Sequence, residues 1–203
     1  LITEKIPIED YDKVYHSLGD DGSIASIFTY SQNIGYDDVI ICNNKQLGID
    51  EAKIGIIGSG NFTKTTILPI LKKLKANIKY ISSSRGISST QLAKKYGIEY
   101  STTNVKKVLS DDNVKSIIIA TRHDNHHELI LESLKAKKQI FVEKPLCIYE
   151  NQLDQIISQY KRSKDSSIMI GFNRRFSPHS EAIKDSIGDN SGAINIIYTM
   201  NAG

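Results

Sequence analysis

The sequence has few of the residues that mark several protein classes. Its 203 residues include no tryptophan, four prolines and two cysteines. Cys42 and Cys147 are isolated from each other, which excludes a disulfide framework and the usual spacing of metal-binding cysteines. Free thiols favour a reducing compartment, so we expect a cytoplasmic protein. No apolar run approaches the roughly 18–20 residues of a membrane span, so we expect no membrane association.

Charge of either sign is also limited. The net charge is +3, charged residues make up 24% of the chain, and the lysines are scattered rather than in blocks. This pattern gives no basis for binding nucleic acid or an acidic membrane surface. A hydrophobic content of 39% excludes a mostly disordered chain. The chain begins with Leu1 rather than Met, so we expect a piece cut from a longer protein.

From Lys53 onward, short apolar segments alternate with segments of helical periodicity. The pattern predicts strands over 53–58, 77–82, 114–121, 139–144 and 167–172, and helices over 62–74, 88–97, 105–110, 125–138 and 150–162. This alternation is typical of βαβ units and a parallel sheet. Apolar runs without alternation, "IGII" (54–57) and "SIIIA" (116–120), indicate a doubly wound sheet covered on both faces. Pro69 predicts a kink or an irregular first turn in the first of these helices.

The chain divides into three predicted regions. Residues 1–52 contain a predicted helix over 6–19, a strand over 23–30 and a polar linker, which cannot bury a core alone. Residues 53–172 form the α/β domain. Residues 173–203 begin with a basic turn and a helix and end in a predicted strand over 193–203. We interpret this last region as the beginning of a truncated second α/β domain.

A glycine turn follows the first strand of the α/β domain. In "GSGNFT" (58–63), Gly58 permits a tight turn and Gly60 permits a phosphate to approach the backbone, ahead of the free N–H groups of a helix. Thr63 stands where the dinucleotide fingerprint has its third glycine, so the motif is incomplete. A turn without a ligand remains the alternative. The position after the first strand of a βαβ array favours a Rossmann-type dinucleotide site.

The end of the second strand, "ISSSRG" (81–86), has no acidic residue to bind a ribose 2′-hydroxyl, which NAD sites usually provide. Ser83, Ser84 and Arg85 are suited to a 2′-phosphate, because arginine offers a planar fork to phosphate oxygens. The sequence therefore favours NADP over NAD. In the alternative interpretation, Arg85 is a solvated loop residue.

A histidine cluster, "TRHDNHH" (121–127), follows the strand predicted over 114–121. His126 and His127 are adjacent and point apart on a helix, and no third convergent ligand is evident, so we predict no metal. Capping of the following helix near Asn125 is the simpler alternative. Because open α/β sheets bind ligands at the carboxyl ends of their strands, we expect this loop to line the nicotinamide side of a crevice.

Three segments together resemble one enzyme family. They are "KIGIIGSGNF" (53–62), "IIIATRHDNHHELILESLKAKKQIFVEKPL" (117–146) and "GFNRRFSP" (171–178). Their order is similar to that of the glucose–fructose oxidoreductase and inositol dehydrogenase family. Thr121 and His126 keep the family spacing, but Arg122 replaces the usual proline; the family's Glu-Lys-Pro is intact at 143–145.

The resemblance implies an NAD(P)-dependent oxidoreductase that transfers hydride to or from a sugar, polyol or nucleotide-sugar. It implies that Lys144 is catalytic and lies beside the nicotinamide and the substrate. The family's catalytic histidine comes from further along the chain than residue 203, so we expect the 203 residues alone to be inactive. A non-catalytic module that senses a dinucleotide or another ligand is the alternative on the same fold.

Residues 1–50 resemble the tail of a medium-chain, zinc-type alcohol dehydrogenase, which would make the intact protein a two-module oxidoreductase. Such an arrangement suggests polysaccharide biosynthesis. The family resemblance also makes a homo-oligomer an open option. The cofactor-binding residues predicted from all these patterns are Gly58, Ser59, Gly60, Asn61, Phe62, Ser83, Ser84, Arg85, Ala120, Thr121, Arg122, His123, His126, Glu143, Lys144, Pro145 and Arg174.

Overall fold

The computed structural model describes residue 2 and residues 4–16, 25–30, 37–43, 52–189 and 192–199. The chain forms two compact units, residues 1–37 and residues 38–203.

The first unit is small and contains one parallel strand pair. Strand β1 (Glu4–Pro7) pairs with β2 (Ser26–Thr29), and helix α1 (Tyr11–His16) follows a 3₁₀ turn after β1. The strand predicted over 23–30 is confirmed at residues 26–29. The helix predicted over 6–19 is confirmed at residues 11–16, but its predicted start is wrong, because residues 6 and 7 belong to β1 and residues 8–10 form the 3₁₀ turn. The predicted end of the helix at Gly19 lies outside the described residues.

The second unit contains a seven-stranded sheet with helices between its strands. Its strands are β3 (Val39–Ile41), β4 (Lys53–Ile57), β5 (Ile78–Ser82), β6 (Tyr100–Thr102), β7 (Val114–Ile119), β8 (Gln139–Glu143) and β9 (Ile168–Gly171). The helices are α2 (Leu68–Lys73), α3 (Ile87–Tyr96), α4 (Val105–Ser110), α5 (His126–Lys135), α6 (Glu150–Arg162) and α7 (Pro178–Ile187).

The sheet has the order β3-β6-β5-β4-β7-β8-β9. All neighbouring strands are parallel except β3, which pairs with β6 in the antiparallel direction. Successive parallel strands lie progressively further from β4 on both sides: β5 and β6 on one side, and β7, β8 and β9 on the other. The direction in which strands are added therefore reverses between β4 and β7. This arrangement is the doubly wound Rossmann topology, which confirms the predicted fold class.

Two apolar clusters cover the two faces of the sheet. One contains Ile56 and Ile81 with side chains of α2 and α3, and the other contains Ile57 and Ile119 with side chains of α4, α5 and α6. Ile56 and Ile57 belong to opposite clusters because successive side chains of a strand point to opposite faces. The continuous apolar strands are thus explained by burial on both sides.

The irregularity predicted around Pro69 is confirmed. A π-helical turn, Thr63–Ile67, precedes α2, and the backbone N–H of Leu68 donates to the carbonyl of Thr63. Proline cannot donate a backbone hydrogen bond, so the regular α-helical ladder is interrupted at this point.

Three short strands, β1, β3 and β6, were not predicted, and one predicted strand is absent from the part of it that the structure describes. β3 and β6 have three residues each, and β3 extends the second unit back to Asp38 rather than Lys53. The strand predicted over 193–203 is wrong for residues 193–199, which have no regular structure. The assignment of residues 173–203 to a second domain stays a prediction. Among the described residues, no helix is long and apolar enough to cross a membrane.

Candidate active site

A cleft of about 580 Å³ lies at the edge of the sheet where β7, β8 and β9 end. Its wall combines segments that are distant in sequence because parallel strands present their carboxyl ends at one edge. The lining residues are Phe62, Ala120, Thr121, His123, Glu143, Lys144, Gly171, Phe172, Asn173, Arg174 and Arg175. The topology therefore brings together most of the loops that the sequence selected.

The two glycines of the turn after β4 have different surroundings. Gly58 has φ +108°, and a Cβ atom there would lie 2.4 Å from the carbonyl oxygen of Ala120. At Gly60 a Cβ atom would meet no protein atom within 4 Å. The fold therefore requires glycine at 58, whereas at 60 the open space is available to a ligand. Thr63, in place of the third glycine, is buried and donates its hydroxyl to the carbonyl of Gly58 over 2.8 Å.

The remaining residues of this turn are accessible. Phe62 lines the cleft, Asn61 is exposed, and Ser59 forms a hydroxyl–hydroxyl hydrogen bond of 2.5 Å with Ser88 at the beginning of α3. This bond connects the glycine turn to the element that follows β5.

The residues after β5 divide into an inner and an outer group. Ser84 and Arg85 are exposed, and their side chains make no hydrogen bond or ion pair with the residues that the structure describes. The Ser83 hydroxyl instead points inward and donates to Ser89 over 2.9 Å. Only the outer pair is therefore free to meet a ligand.

The loop after β7 contributes three residues to the cleft. Ala120, Thr121 and His123 line the cleft. Arg122 is exposed and has φ −69°, a value that proline also adopts, so the substitution of the family proline leaves the backbone compatible.

His126 is fully buried and does not line the cleft. Its Nδ1 lies 2.7 Å from the carbonyl oxygen of Pro145 and its Nε2 lies 3.3 Å from that of Thr121. A neutral imidazole donates one of these bonds, and only the imidazolium donates both. The ring connects the loops that follow β7 and β8, and its burial differs from the cofactor contact expected from the sequence.

No metal-binding group is evident in the part of the chain that the structure describes. No three His, Cys, Asp or Glu side chains there converge as ligands. His123 and His126 lie with ring centroids 5.8 Å apart, but one ring is in the cleft and the other is buried.

At the charged end of β8, Glu143 has a hydrogen-bond partner, whereas Lys144, the residue after the strand, has none among the described residues. The Glu143 carboxylate accepts a hydrogen bond from the Asn173 side-chain amide over 2.8 Å. A Cβ atom at Gly171 would lie 2.6 Å from Glu143 Oε1, so the glycine leaves room for this carboxylate. Lys144 is exposed, lines the cleft and has no hydrogen bond or ion pair with any described residue.

The loop after β9 contributes more to the cleft than the sequence analysis selected. Arg174 and its neighbour Arg175 were considered as contacts from the sequence, Phe172 and Asn173 were not, and all four line the cleft. Arg175 also lies over the ring of Phe176, 5.1 Å from its centroid. The signal was available, because these residues follow the carboxyl end of a strand in the same way as Thr121 does.

The strongly interacting buried ionisable groups lie elsewhere, near the amino end of β7. Burial alone would raise the pKa of Asp111, but hydrogen bonds from Lys79 and from the Asn113 backbone outweigh it and leave this pKa below its usual value. The Lys79 ammonium lies 2.5 Å from the Asp111 carboxylate. Burial, together with the Asp111 charge, raises the pKa of Tyr80. These groups support the fold rather than the cleft.

Comparison with known proteins identifies the family. Residues 52–185 match the family model described as an oxidoreductase family with an NAD-binding Rossmann fold. A myo-inositol 2-dehydrogenase from Thermotoga maritima is 31% identical over 136 residues, which cover 66% of this chain and 40% of that protein. An inositol 2-dehydrogenase from Rhizobium meliloti is 27% identical over 137 residues, covering 68% and 41% respectively.

A solved structure supports the fold independently. KijD10, a 3-ketoreductase from Actinomadura kijaniata in complex with NADP and TDP-benzene, superposes with a TM-score of 0.61 at 21% identity, over 67% of this chain and 42% of that chain. This chain spans about two fifths of the length of these relatives. The matched region contains the glycine turn, Glu-Lys-Pro and the loop after β9, so the resemblance and the nicotinamide dinucleotide cofactor predicted from sequence are confirmed. The chain belongs to the oxidoreductase family with an NAD-binding Rossmann fold, the family of the inositol dehydrogenases.

Proposed function

We propose that this chain is the nucleotide-binding part of an oxidoreductase that transfers hydride between NADP and a hydroxyl or carbonyl carbon of a sugar, polyol or nucleotide-sugar. One observation carries the proposal: Gly60 faces open space at the end of β4, and the cleft lined by Lys144 lies across the ends of β7 and β8. A dinucleotide needs both features, a backbone that phosphate can approach and a pocket for the reacting ring.

The nicotinamide, when bound, supplies the hydride chemistry. The chain's own residues bind and orient it: the glycine turn receives the pyrophosphate, and Thr121 and His123 border the reacting end. Lys144 donates a hydrogen bond to the substrate oxygen and polarises it, a role that needs an ammonium without a competing counterion. The Asn173 amide holds Glu143 away from Lys144 through its hydrogen bond to that carboxylate.

We further propose that Ser84 and Arg85 select NADP over NAD. The exposed Arg85 guanidinium has no partner among the described residues, and an arginine fork binds a 2′-phosphate in bidentate geometry. No carboxylate follows β5 to accept a ribose hydroxyl. From the sequence we also propose that the enzyme is cytoplasmic and takes part in cell-surface polysaccharide biosynthesis, with a homo-oligomer as an open option.

The test is a pair of fluorescence titrations of the 203-residue chain with NADPH and with NADH. Hydrogen bonds to charged groups contribute about 1.5–3 kcal/mol, so we expect NADPH to bind roughly 10–150-fold more tightly. Arg85→Ala should bring the two dissociation constants within a few-fold of each other. Arg162→Ala, which removes an exposed arginine at the end of α6, is the matched control and should change neither.

Binding of neither nucleotide would refute the proposed function. Tighter binding of NADH would refute the role of Arg85 while leaving the nucleotide site intact.

A further inference from the structure

A chain of buried hydroxyls lies beneath the turn that presents Ser84 and Arg85. Ser89 in α3 is 0% exposed and Ser101 in β6 is 1% exposed. The Ser89 hydroxyl donates to the carbonyl of Gly86 over 2.9 Å and accepts from both Ser83 and Ser101, each over 2.9 Å. Ser89 is therefore the centre of a small network that contacts both ends of the turn.

The direction of every proton in this network follows from one acceptor. A carbonyl oxygen can only accept, so the single Ser89 proton is committed to Gly86. Ser83 and Ser101 must then donate to Ser89, and Thr90 donates in turn to Ser101 over 3.0 Å. The Ser83 oxygen also accepts from the backbone N–H of Gly86 over 3.1 Å.

The hydrogen bonds already made by these hydroxyls determine which serine can donate to a ligand. Phosphate oxygens accept hydrogen bonds, so a phosphate ligand needs donors. Ser83 has already given its only proton to Ser89, and it has none left for a ligand. Ser84 and Arg85 are exposed and unengaged among the described residues, so they retain their donors. The placement of Ser83 therefore differs from the direct cofactor contact predicted from sequence.

We propose that Ser89 is a positioning residue for the discrimination between NADP and NAD. Its hydroxyl is hydrogen-bonded to Ser83 at one end of the turn and to the Gly86 carbonyl at the other, which holds the two ends together. In this turn Gly86 has φ +76°. Closure fixes the direction from which Arg85 reaches the ribose. This inference rests on the proposed NADP preference and adds a residue that touches neither the nucleotide nor Arg85.

The experiment compares Ser89→Ala with the unchanged chain in titrations with NADPH and NADH. Removal of the hydroxyl leaves the Ser83 and Ser101 donors without their acceptor and takes one hydrogen bond from the Gly86 carbonyl, so we expect the NADPH dissociation constant to rise about fivefold or more. The NADH dissociation constant should stay within about twofold, because NADH carries no 2′-phosphate. The ratio of the two constants is the readout, since a general loss of structure weakens both nucleotides together.

Ser133→Ala is the matched control. Ser133 in α5 is also 0% exposed, but its hydroxyl has no hydrogen-bond partner among the described residues. Its removal should leave both dissociation constants unchanged. If Ser89→Ala does not fold, Ser83→Ala opens the same turn from a less buried position and should lower the NADPH preference in the same direction.

An unchanged NADPH-to-NADH ratio in folded Ser89→Ala or Ser83→Ala overturns the inference. If the unchanged chain and Ser89→Ala prefer NADPH to the same degree, the proposed function stands and only the positioning role of Ser89 is refuted. If the unchanged 203-residue chain binds neither NADPH nor NADH, the proposed function is refuted, and the inference about Ser89 is refuted with it.

Discussion

Replacing each glycine of the turn after β4 by alanine separates a structural turn from a ligand site. At Gly60 the added Cβ meets no protein atom within 4 Å, and φ lies outside the left-handed region. A glycine-to-alanine change at such a position stabilises a protein by about 0.4–1 kcal/mol, since it restricts the unfolded chain. Thermal unfolding of Gly60→Ala should therefore show a melting temperature raised by about 1–4 °C.

Nucleotide binding should change in the opposite direction. In the proposed site, the methyl group would occupy the space through which the pyrophosphate approaches the backbone, and an overpacked contact costs roughly 1–3 kcal/mol. We expect NADPH affinity to fall about tenfold or more in a fluorescence titration, while the protein remains fully folded by circular dichroism.

Gly58→Ala is the matched comparison on the same turn. Its Cβ would lie 2.4 Å from the Ala120 carbonyl oxygen and 2.6 Å from the carbonyl carbon, both in the backbone of the neighbouring strand end. Left-handed strain of about 1–2 kcal/mol adds to the overpacking, so we expect a total loss of roughly 2–5 kcal/mol and a lowered melting temperature. Wild-type NADPH affinity in Gly60→Ala would refute the assignment of the pyrophosphate to this turn.

Two further predictions concern charged side chains. Lys144→Met in the full-length enzyme should lower kcat by about 100-fold or more and leave the NADPH dissociation constant within about threefold; undiminished turnover would remove Lys144 from the mechanism. Asp111→Asn should lower the free energy of unfolding by about 1.5–3 kcal/mol at about pH 6. Because the pKa of Asp111 lies below its usual value of 3.8, its stabilisation is present above that value and is lost as the pH falls through the lower folded-state pKa. Urea unfolding at about pH 6 and about pH 2.5 should therefore show a smaller difference between Asp111→Asn and wild type at the lower pH, and an equal difference would contradict the pairing with Lys79.

The parallel sheet was predictable because its signals are local. Each long strand has a largely apolar stretch, and the helices have their own periodicity and end signals, such as Gly97 in the left-handed conformation after α3. The location of the cleft followed from topology alone, since the carboxyl ends of parallel strands share one edge. The sequence therefore sufficed for the domain and for the edge at which the site lies.

The missed strands depend on contacts that no local pattern records. β3 is held to β6 by pairing between segments far apart in the chain, and the Asn104 side-chain amide donates to the Asp38 carboxylate over 2.7 Å. A three-residue strand contains too few side chains to display a period. For the same reason, the sequence could not tell that residues near Asp38 belong with the sheet.

Side-chain direction was the second limit of the sequence. His126 and Ser83 were selected because they follow the ends of β7 and β5, and position at that edge is what the sequence reveals. Whether a side chain points outward to a ligand or inward to stabilise a loop depends on its partners. The partners of His126 are the Thr121 and Pro145 carbonyls, and the partner of the Ser83 hydroxyl is Ser89.

At the end of β8, position at the sheet edge and the partners of each side chain together determine which residue is available to a ligand. Glu143 is the last residue of β8 and Lys144 follows it; the two side chains are adjacent and oppositely charged and both line the cleft, but they form no ion pair with each other. Glu143 is held by Asn173 at the end of β9, where Gly171 leaves space for its carboxylate. Lys144 lies in the cleft without a counterion among the described residues, so in the proposed mechanism its ammonium is available to a substrate oxygen. The Glu143–Asn173 hydrogen bond links the ends of two neighbouring strands, and under the proposed function it leaves the lysine beside the acid available to the substrate.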